Sequence, residues 1–87
     1  MIKLVRIRPL ADAMIELTFS DGAIGRWSAA EVISRNTVLT APLAEPSYFQ
    51  RAFIEAGALA WPNGLEFSAT ALHHQLDATG ALIRTAA

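Results

Sequence analysis

The side chains that could do chemistry in this 87-residue chain are concentrated towards its C-terminal end. His73 and Asp77 are spaced by one helical turn, so they could share a metal ion, with Glu66 as a distant third ligand. His74 would point about 100° away from His73 on a helix and could not join them. Such sets arise by chance in many helices, and histidines suit a helix C-terminus, where the macrodipole favours cations. We therefore interpret both histidines as a solvated helix end and predict no metal site.

Nucleophilic catalysis is the second chemistry to consider. Ser68, His73 and Asp77 have the residue types of a hydrolytic triad. The sequence lacks the G-x-S-x-G pattern of a nucleophile elbow, and Ser68 is better explained as a helix N-cap. The five glycines are dispersed, so they form no phosphate-binding loop, and the carboxylates lie singly rather than in pairs. We predict that the protein is not an enzyme and holds no cofactor.

Composition narrows the class of protein further. Seven basic and eight acidic residues give a net charge of −1, which offers no strong attraction for nucleic acid or an anionic membrane. The chain has no cysteine, which excludes disulfides, thiolate zinc sites and cysteine nucleophiles. The sequence shows neither a signal-peptide pattern nor an apolar run that could span a bilayer. We expect one cytoplasmic domain over residues 1–87, without membrane association and without direct nucleic-acid binding by this chain alone.

Two features of the sequence favour a binding surface. Hydrophobic residues make up 53% of a short chain, which hints at exposed apolar surface of the kind found in a homodimer or at a partner site. Arg6 and Arg8 share one face of a strand and could join Arg26 in a modest positive patch that attracts an acidic partner or RNA. A solvated sheet edge explains these charges more simply, since edge strands carry Lys and Arg against aggregation.

Short strands must position these residues in the first third of the chain. Residues 2 to 8, which end at Pro9, predict a strand whose apolar alternation changes phase, so either a bulge interrupts it or both faces are partly covered. Residues 13 to 19 alternate cleanly and predict the strongest strand. Residues 23 to 27 predict a third strand, reached through an Asp-Gly turn that supplies a positive φ. Together these segments predict an antiparallel meander.

Two helix signals follow the meander. Ser28 and Glu31 have the spacing of a capping box, which predicts a short helix of about two turns beginning at Ser28. After a loop over residues 40 to 46, Pro46 is placed to open one further helical turn.

The remainder of the chain predicts a second β unit. Residues 51 to 56 and 58 to 61 predict a hairpin, and a helix capped by Ser68 is expected to run to about residue 75 or 76. Residues 81 to 87 predict either a short added strand or a frayed tail. The fold class is therefore α+β: a single small domain of two antiparallel β units with short helices.

The stretch W-P-N-G, residues 61 to 64, contains the densest group of special residues. Pro62, Asn63 and Gly64 fit the inner and final positions of a tight turn. Trp61 is expected to bury its indole, with its N–H directed to a carbonyl or to water. Turn chemistry explains these residues without a ligand, but an aromatic beside a polar turn is also how binding surfaces are built. The binding alternative predicts that Trp61 is mobile and exposed in the free protein.

The same residues carry a resemblance to a known family. The elements are F-x-D-G ending at Gly22, an acidic-Pro-x-x-Phe element ending at Phe49, and W-P-N-G followed by Glu66 and Leu72. Over nearly the whole chain this pattern resembles the domain of unknown function family 2442. The resemblance implies a small bacterial α+β domain of unestablished biochemistry. Such domains occur alone or joined to a helix-turn-helix DNA-binding domain, and are sometimes encoded beside small toxin proteins.

We interpret the chain as a non-enzymatic interaction or regulatory module of a bacterial cytoplasm that binds another protein or itself. The predicted surface is centred on Trp61, Asn63 and Tyr48, with Asp21 of the F-x-D-G turn in reserve. One alternative is an antitoxin-like or transcription-associated regulator acting with a toxin or a helix-turn-helix partner, which the resemblance supports only by association. The other is a small enzyme or ligand-binding domain, which requires a concave pocket with two or more convergent polar groups.

Overall fold

Two antiparallel sheets organise residues 1–84, the part of the chain that the computed structural model describes. The first sheet has the strand order β1-β2-β3-β7 and the second has the order β4-β5-β6. The strands of the first sheet are β1 (Leu4–Pro9), β2 (Met14–Phe19), β3 (Ala23–Ser28) and β7 (Ile83–Arg84). Those of the second sheet are β4 (Phe53–Glu55), β5 (Ala58–Ala60) and β6 (Glu66–Phe67). The predicted α+β class with two antiparallel β units is confirmed.

The first sheet follows the apolar alternation of its strands. In β2, Ile15, Leu17 and Phe19 are buried at 0–1% exposure and face the core, because successive side chains of a strand point to opposite faces. The pairing of β1 with β2 shifts in register between Leu4 and Arg6. The predicted change of phase in β1 is therefore a bulge, which moves Ile7 back onto the core side.

Positive φ angles close the turns of both sheets. Gly22 has a φ of +88° in the Asp-Gly turn between β2 and β3, as predicted. Ala56 and Gly57, with φ of +51° and +84°, form the turn between β4 and β5. The carbonyl of Gly57 accepts a 2.8 Å hydrogen bond from the N–H of Leu4, which links the second sheet to the edge of the first.

The helices are α1 (Ala30–Ser34), α2 (Pro46–Phe49) and α3 (Ala69–Ala78), with a 3₁₀ helix over Ala41–Ala44. The predicted capping box is wrong. Ser28 is the last residue of β3, and the N–H of Ala29 still bonds to the carbonyl of Ala13, so the helix begins too late for the predicted spacing. The Ser28 hydroxyl accepts a 3.2 Å bond from the N–H of Ala30 instead of from that of Glu31. The Glu31 carboxylate accepts a 2.7 Å bond from Arg35 instead of reaching back.

The other two helix signals are confirmed. Pro46 occupies the first turn of α2. The Ser68 hydroxyl accepts a 3.1 Å hydrogen bond from the N–H of Ala71 and caps α3, which continues to Ala78, slightly beyond its predicted end.

The end of the chain joins the first sheet. Ile83 and Arg84 pair with Ile24 and Ala23 of β3, so a short strand is present at these two positions. Residues 85–87, the rest of the predicted strand or tail, lie outside the described residues.

The core lies between the inner face of the first sheet, the second sheet and the helices. Its largest fully buried side chains are Trp61, Phe19, Ile15, Leu17, Leu43 and Leu59. No helix within residues 1–84 is both long enough and apolar enough to cross a membrane.

Candidate functional site

The W-P-N-G turn is anchored in the core by Trp61. Its indole is 1% exposed and lies against the rings of Phe49 and Phe67, with centroid distances of 5.9 and 6.2 Å. Its Nε1–H donates a 3.1 Å hydrogen bond to the Phe49 carbonyl at the end of α2. Both the predicted burial and the predicted carbonyl partner are observed, whereas the exposed, mobile indole expected from the binding alternative is not. Trp61 therefore lies beneath the surface and positions the turn above it.

Asn63 connects the turn to two other segments. Its side-chain Nδ2 donates to the Leu39 carbonyl at 3.0 Å, and its Oδ1 accepts from the N–H of Leu65 at 3.1 Å. Its backbone N–H donates to the Tyr48 hydroxyl at 3.0 Å. Asn63 thus ties the second sheet to α2 and to the loop before the 3₁₀ helix. Trp61, Asn63 and Tyr48 are brought together as predicted, but largely by contacts that the fold itself uses.

The loop that Asn63 contacts presents two apolar side chains to solvent. Thr37 and Thr40 bracket this loop: each hydroxyl accepts from the other residue's N–H, at 3.0 and 3.1 Å, and the two hydroxyls lie 2.9 Å apart. Thr40 is buried at 6% exposure. Between them, Val38 is 90% exposed and Leu39 is 42% exposed. The loop is held by hydrogen bonds while its apolar side chains have no place in the core.

We call Val38, Leu39, Tyr48 and Asn63 the tip surface. Sequence reasoning missed Val38 and Leu39, although the pattern T-V-L-T gave a usable signal, with hydroxyls three residues apart around two large apolar residues in a loop. The Arg51 guanidinium lies 5.8 Å from the centroid of the Tyr48 ring, within cation–π range. The tip surface contains no acid–base pair and no activated nucleophile. Its side chains are aliphatic, aromatic and amide.

Asp21 lies in a separate cluster, where it meets a residue 52 positions away. One carboxylate oxygen accepts from the N–H of Ala23 at 3.0 Å, and the other lies 2.8 Å from Nε2 of His73. Arg84 approaches the same oxygen at 3.7 Å. The hydrogen bond from Ala23, together with the hydrogen bond and charge of His73, lowers the pKa of Asp21 below its ordinary value.

The interpretation of His73 as a solvated helix-end residue is wrong. His73 lies within α3, its side chain is only 14% exposed, and its ring packs edge-on against Phe19 at 4.9 Å. The i and i+4 residues His73 and Asp77 have different partners, because Asp77 lies 3.9 Å from Arg84. The side chain of His74 is exposed.

This cluster joins the β2–β3 turn, α3 and β7, because Asp21 contacts both His73 and Arg84. Ser68, the residue that would complete a triad, has its hydroxyl bound to the N–H of Ala71 as the helix cap. Within residues 1–84, no group of three or more His, Asp or Glu side chains is arranged to hold a metal ion. The arrangement holds the β2–β3 turn, α3 and β7 together.

A concavity lies beside the β1–β2 turn. It has a volume of about 480 Å³ and is lined by Leu10, Ala11, Asp12, Ala13, Leu43, Ala44, Pro46, Phe49 and Gln50. Asp12 is the one ionisable group among these lining residues, so the groove provides no pair that could divide acid and base roles.

The comparisons with known proteins give one match. Residues 4–77 match a family model described as a protein of unknown function, DUF2442. Searches of curated proteins and of solved structures found no match. The matched range covers both sheets except β7 and includes the tip surface. The predicted family is thereby confirmed.

Proposed function

The chain belongs to the DUF2442 family of unknown function, and we propose that it is a non-enzymatic interaction module that contacts a protein partner through the tip surface. The observation that carries the proposal is the exposure of Val38 and Leu39 on a loop fixed by the Thr37–Thr40 bracket and by Asn63. Two adjacent large apolar side chains on an ordered loop form an exposed apolar patch of the kind that favours contact with another molecule.

The physical advantage of this arrangement is preorganisation. Burying a large aliphatic side chain contributes about 1.5–3 kcal/mol, and Val38 and Leu39 can bury theirs only against another molecule. Because the loop is already ordered, binding costs little additional conformational entropy. Tyr48 and Asn63 supply a polar and aromatic border around the apolar centre, as is common where a few residues dominate an interface.

The proposal includes the setting and the kinds of partner. The family resemblance supports a bacterial protein, the proposed location is the cytoplasm, and the partner is another protein or a second copy of this chain. An antitoxin-like or transcription-associated role is a narrower form of the same proposal, in which the partner is a toxin or a helix-turn-helix protein. The identity of the partner decides between these forms.

The test compares two apolar surfaces of the same protein. A tagged wild-type domain is used to capture partners from its own cell extract, beside the double variant Val38→Ser/Leu39→Ser. The matched control is Val5→Ser, because Val5 is also exposed, at 60%, but lies in β1 outside the tip surface. Circular dichroism checks the folding of each protein, and sedimentation velocity measures self-association.

We expect the wild type and Val5→Ser to retain the same partner, or the same dimer, and the tip variant to lose it. If the folded tip variant retains every interaction of the wild type, the tip surface is not the contact surface. Trp61→Ala is unsuitable here because it removes a core side chain.

A further inference from the structure

The outward side of the first sheet gathers three arginines around one carboxylate. The register places Glu16 of β2 directly between Arg8 of β1 and Arg26 of β3. Glu16 accepts hydrogen bonds from Nε and Nη2 of Arg8 at 3.4 and 3.2 Å, and it lies 3.9 Å from Nε of Arg26. Arg6 belongs to the next row, opposite Thr18. We call Arg6, Arg8, Glu16 and Arg26 the arginine face.

Glu16 lies close enough to all three arginines to feel their charges. The hydrogen bond from Arg8 lowers the pKa of Glu16 below its ordinary value, and the charges of Arg8, Arg26 and Arg6 add to this effect. Glu16 holds Arg8 in place but neutralises only one of three positive charges. The side chains of Arg8 and Arg26 remain 52% and 65% exposed, so each guanidinium keeps donors available to another molecule.

The arginine face also concentrates charge that the chain as a whole lacks. It holds three of the seven basic residues and one of the eight acidic residues, which gives it a net charge of +2. The other four basic and seven acidic residues leave a net charge of −3 on the rest of the chain. The charges of this nearly neutral chain are therefore unevenly distributed. Strand pairing assembles the positive patch that was expected from the sequence.

An apolar groove adjoins the arginine face. It has a volume of about 400 Å³ and is lined by Glu16, Ile24, Gly25, Arg26, Ala81 and Ile83. Ile83 in β7 is 70% exposed, beside its pairing partner Ile24. An aliphatic side chain could fill this groove next to the Arg26 guanidinium.

We propose that the arginine face binds an acidic segment of a partner protein, whose carboxylates pair with Arg6 and Arg26 while an aliphatic side chain enters the groove between Ile24 and Ile83. A guanidinium offers a planar fork of donors that matches a carboxylate, which gives such a pair its orientation. The site shares no residue with the tip surface. The module would therefore hold two contacts at once.

The same observations disfavour nucleic acid as the occupant. The outward rows of β1, β2 and β3 carry no aromatic side chain on which a base could stack. A net charge of +2 is also small beside the roughly 6–10 phosphate contacts of proteins that bind DNA by charge neutralisation. An apolar groove suits an aliphatic side chain, whereas a phosphate backbone gains nothing from it.

The test uses a fluorescein-labelled synthetic peptide in which glutamates flank a central leucine, followed by fluorescence anisotropy at low salt. The full chain is compared with Arg6→Gln/Arg26→Gln and with the control Arg35→Gln, whose side chain is 56% exposed and pairs with Glu31 outside the arginine face. Two further probes are a peptide with serine in place of leucine and a single-stranded RNA oligonucleotide.

We expect the double variant to bind the leucine peptide about tenfold more weakly and Arg35→Gln to bind within about twofold of the wild type. Raising the salt concentration should weaken binding, and the serine peptide should bind less well. Absence of saturable peptide binding, an equal loss with Arg35→Gln, or tighter binding of the RNA would overturn the proposal. Because Val38→Ser/Leu39→Ser leaves the arginine face intact, it should keep peptide binding, which separates this result from the test of the tip surface.

Discussion

The two sheets reach their structures in different ways. Strands β1, β2 and β3 have six residues each, and β2 alternates between buried and outward side chains. Strands β4, β5 and β6 have only three, three and two residues. Short hairpins of this kind are marginal in water, so the second sheet depends on contacts made outside it. Trp61 and Asn63 supply these through the Phe49 and Leu39 carbonyls.

The difference explains why special residues collect in the second unit. A long strand is specified by many small preferences along its length, and no single residue is decisive. A short strand is held by a few specific bonds, and each of those requires a particular side chain. The bonds that hold the second sheet also fix the loop that exposes Val38 and Leu39, so architecture and the proposed contact surface share Asn63.

The largest expected effect is that of Trp61→Ala. Loss of a buried aromatic side chain should reduce the free energy of unfolding by about 3–5 kcal/mol. Trp61→Phe keeps an aromatic ring but removes the indole donor, so the Phe49 carbonyl retains only the 3.3 Å bond from the N–H of Ala52, and we expect a smaller loss of about 1–3 kcal/mol. Urea denaturation followed by circular dichroism measures both.

Amide hydrogen exchange tests the same difference between the two sheets. In Trp61→Phe, the amides of β5 should lose protection before those of β2, because the lost bond belongs to the second unit. Equal loss of protection in both sheets would mean that the second sheet depends on the Trp61 bond no more than the first sheet does.

Asn63→Ala should have the next largest effect. It removes the hydrogen bonds to the Leu39 carbonyl and from the N–H of Leu65, and we expect the free energy of unfolding to fall by about 1–2 kcal/mol. Asn63→Asp keeps the acceptor for Leu65 but loses the donor to Leu39, so it separates the two bonds. If Asn63→Asp matches the wild type in thermal denaturation, the link to the Leu39 loop contributes nothing to stability.

A pair of serine substitutions compares the two helix starts. Ser68→Ala removes the cap of α3 and should cost about 1 kcal/mol. Ser28→Ala should cost less than about 0.5 kcal/mol, because Ser28 ends β3 and its hydroxyl accepts only the exposed N–H of Ala30, at 3.2 Å. Chemical denaturation of both variants checks this order. A larger loss of unfolding free energy for Ser28→Ala than for Ser68→Ala would support the capping box.

The smallest effect is expected for Asp21→Asn, and it depends on pH. Because the pKa of Asp21 is lowered in the folded protein, mainly by the N–H of Ala23 and then by His73, its ionised form stabilises the fold. That contribution is complete at neutral pH and is lost as the pH falls through the lowered pKa of Asp21. The difference in stability between wild type and Asp21→Asn should therefore shrink on acidification. A difference that is the same at neutral and acidic pH would contradict this account.

Much of the fold could be predicted because its signals are local. The phase change in β1, the alternation in β2, the Asp-Gly turn at Gly22 and the Ser68 cap each depend on neighbours within a few residues. The error at Ser28 has a long-range cause, since the bond from Ala29 to Ala13 keeps the chain in the sheet.

The candidate site was predictable only in part. Trp61, Asn63 and Tyr48 were correctly expected to lie together, and the indole was expected to be buried. The sequence left the exposed alternative open, and only the packing against Phe49 and Phe67 decided between the two. Whether Asn63 and Tyr48 contact a partner stays a prediction.

The sequence by itself determined the family, the α+β class and most strands and turns, because backbone preferences and side-chain periodicity act over short distances. The tertiary structure alone decided three further features. It placed His73 within hydrogen-bonding distance of Asp21 and left Val38 and Leu39 outside the core. It also aligned Arg8 with Arg26 across Glu16. Each feature depends on which elements pack or pair, and strand register and helix packing are fixed by the whole set of buried contacts rather than by any local stretch.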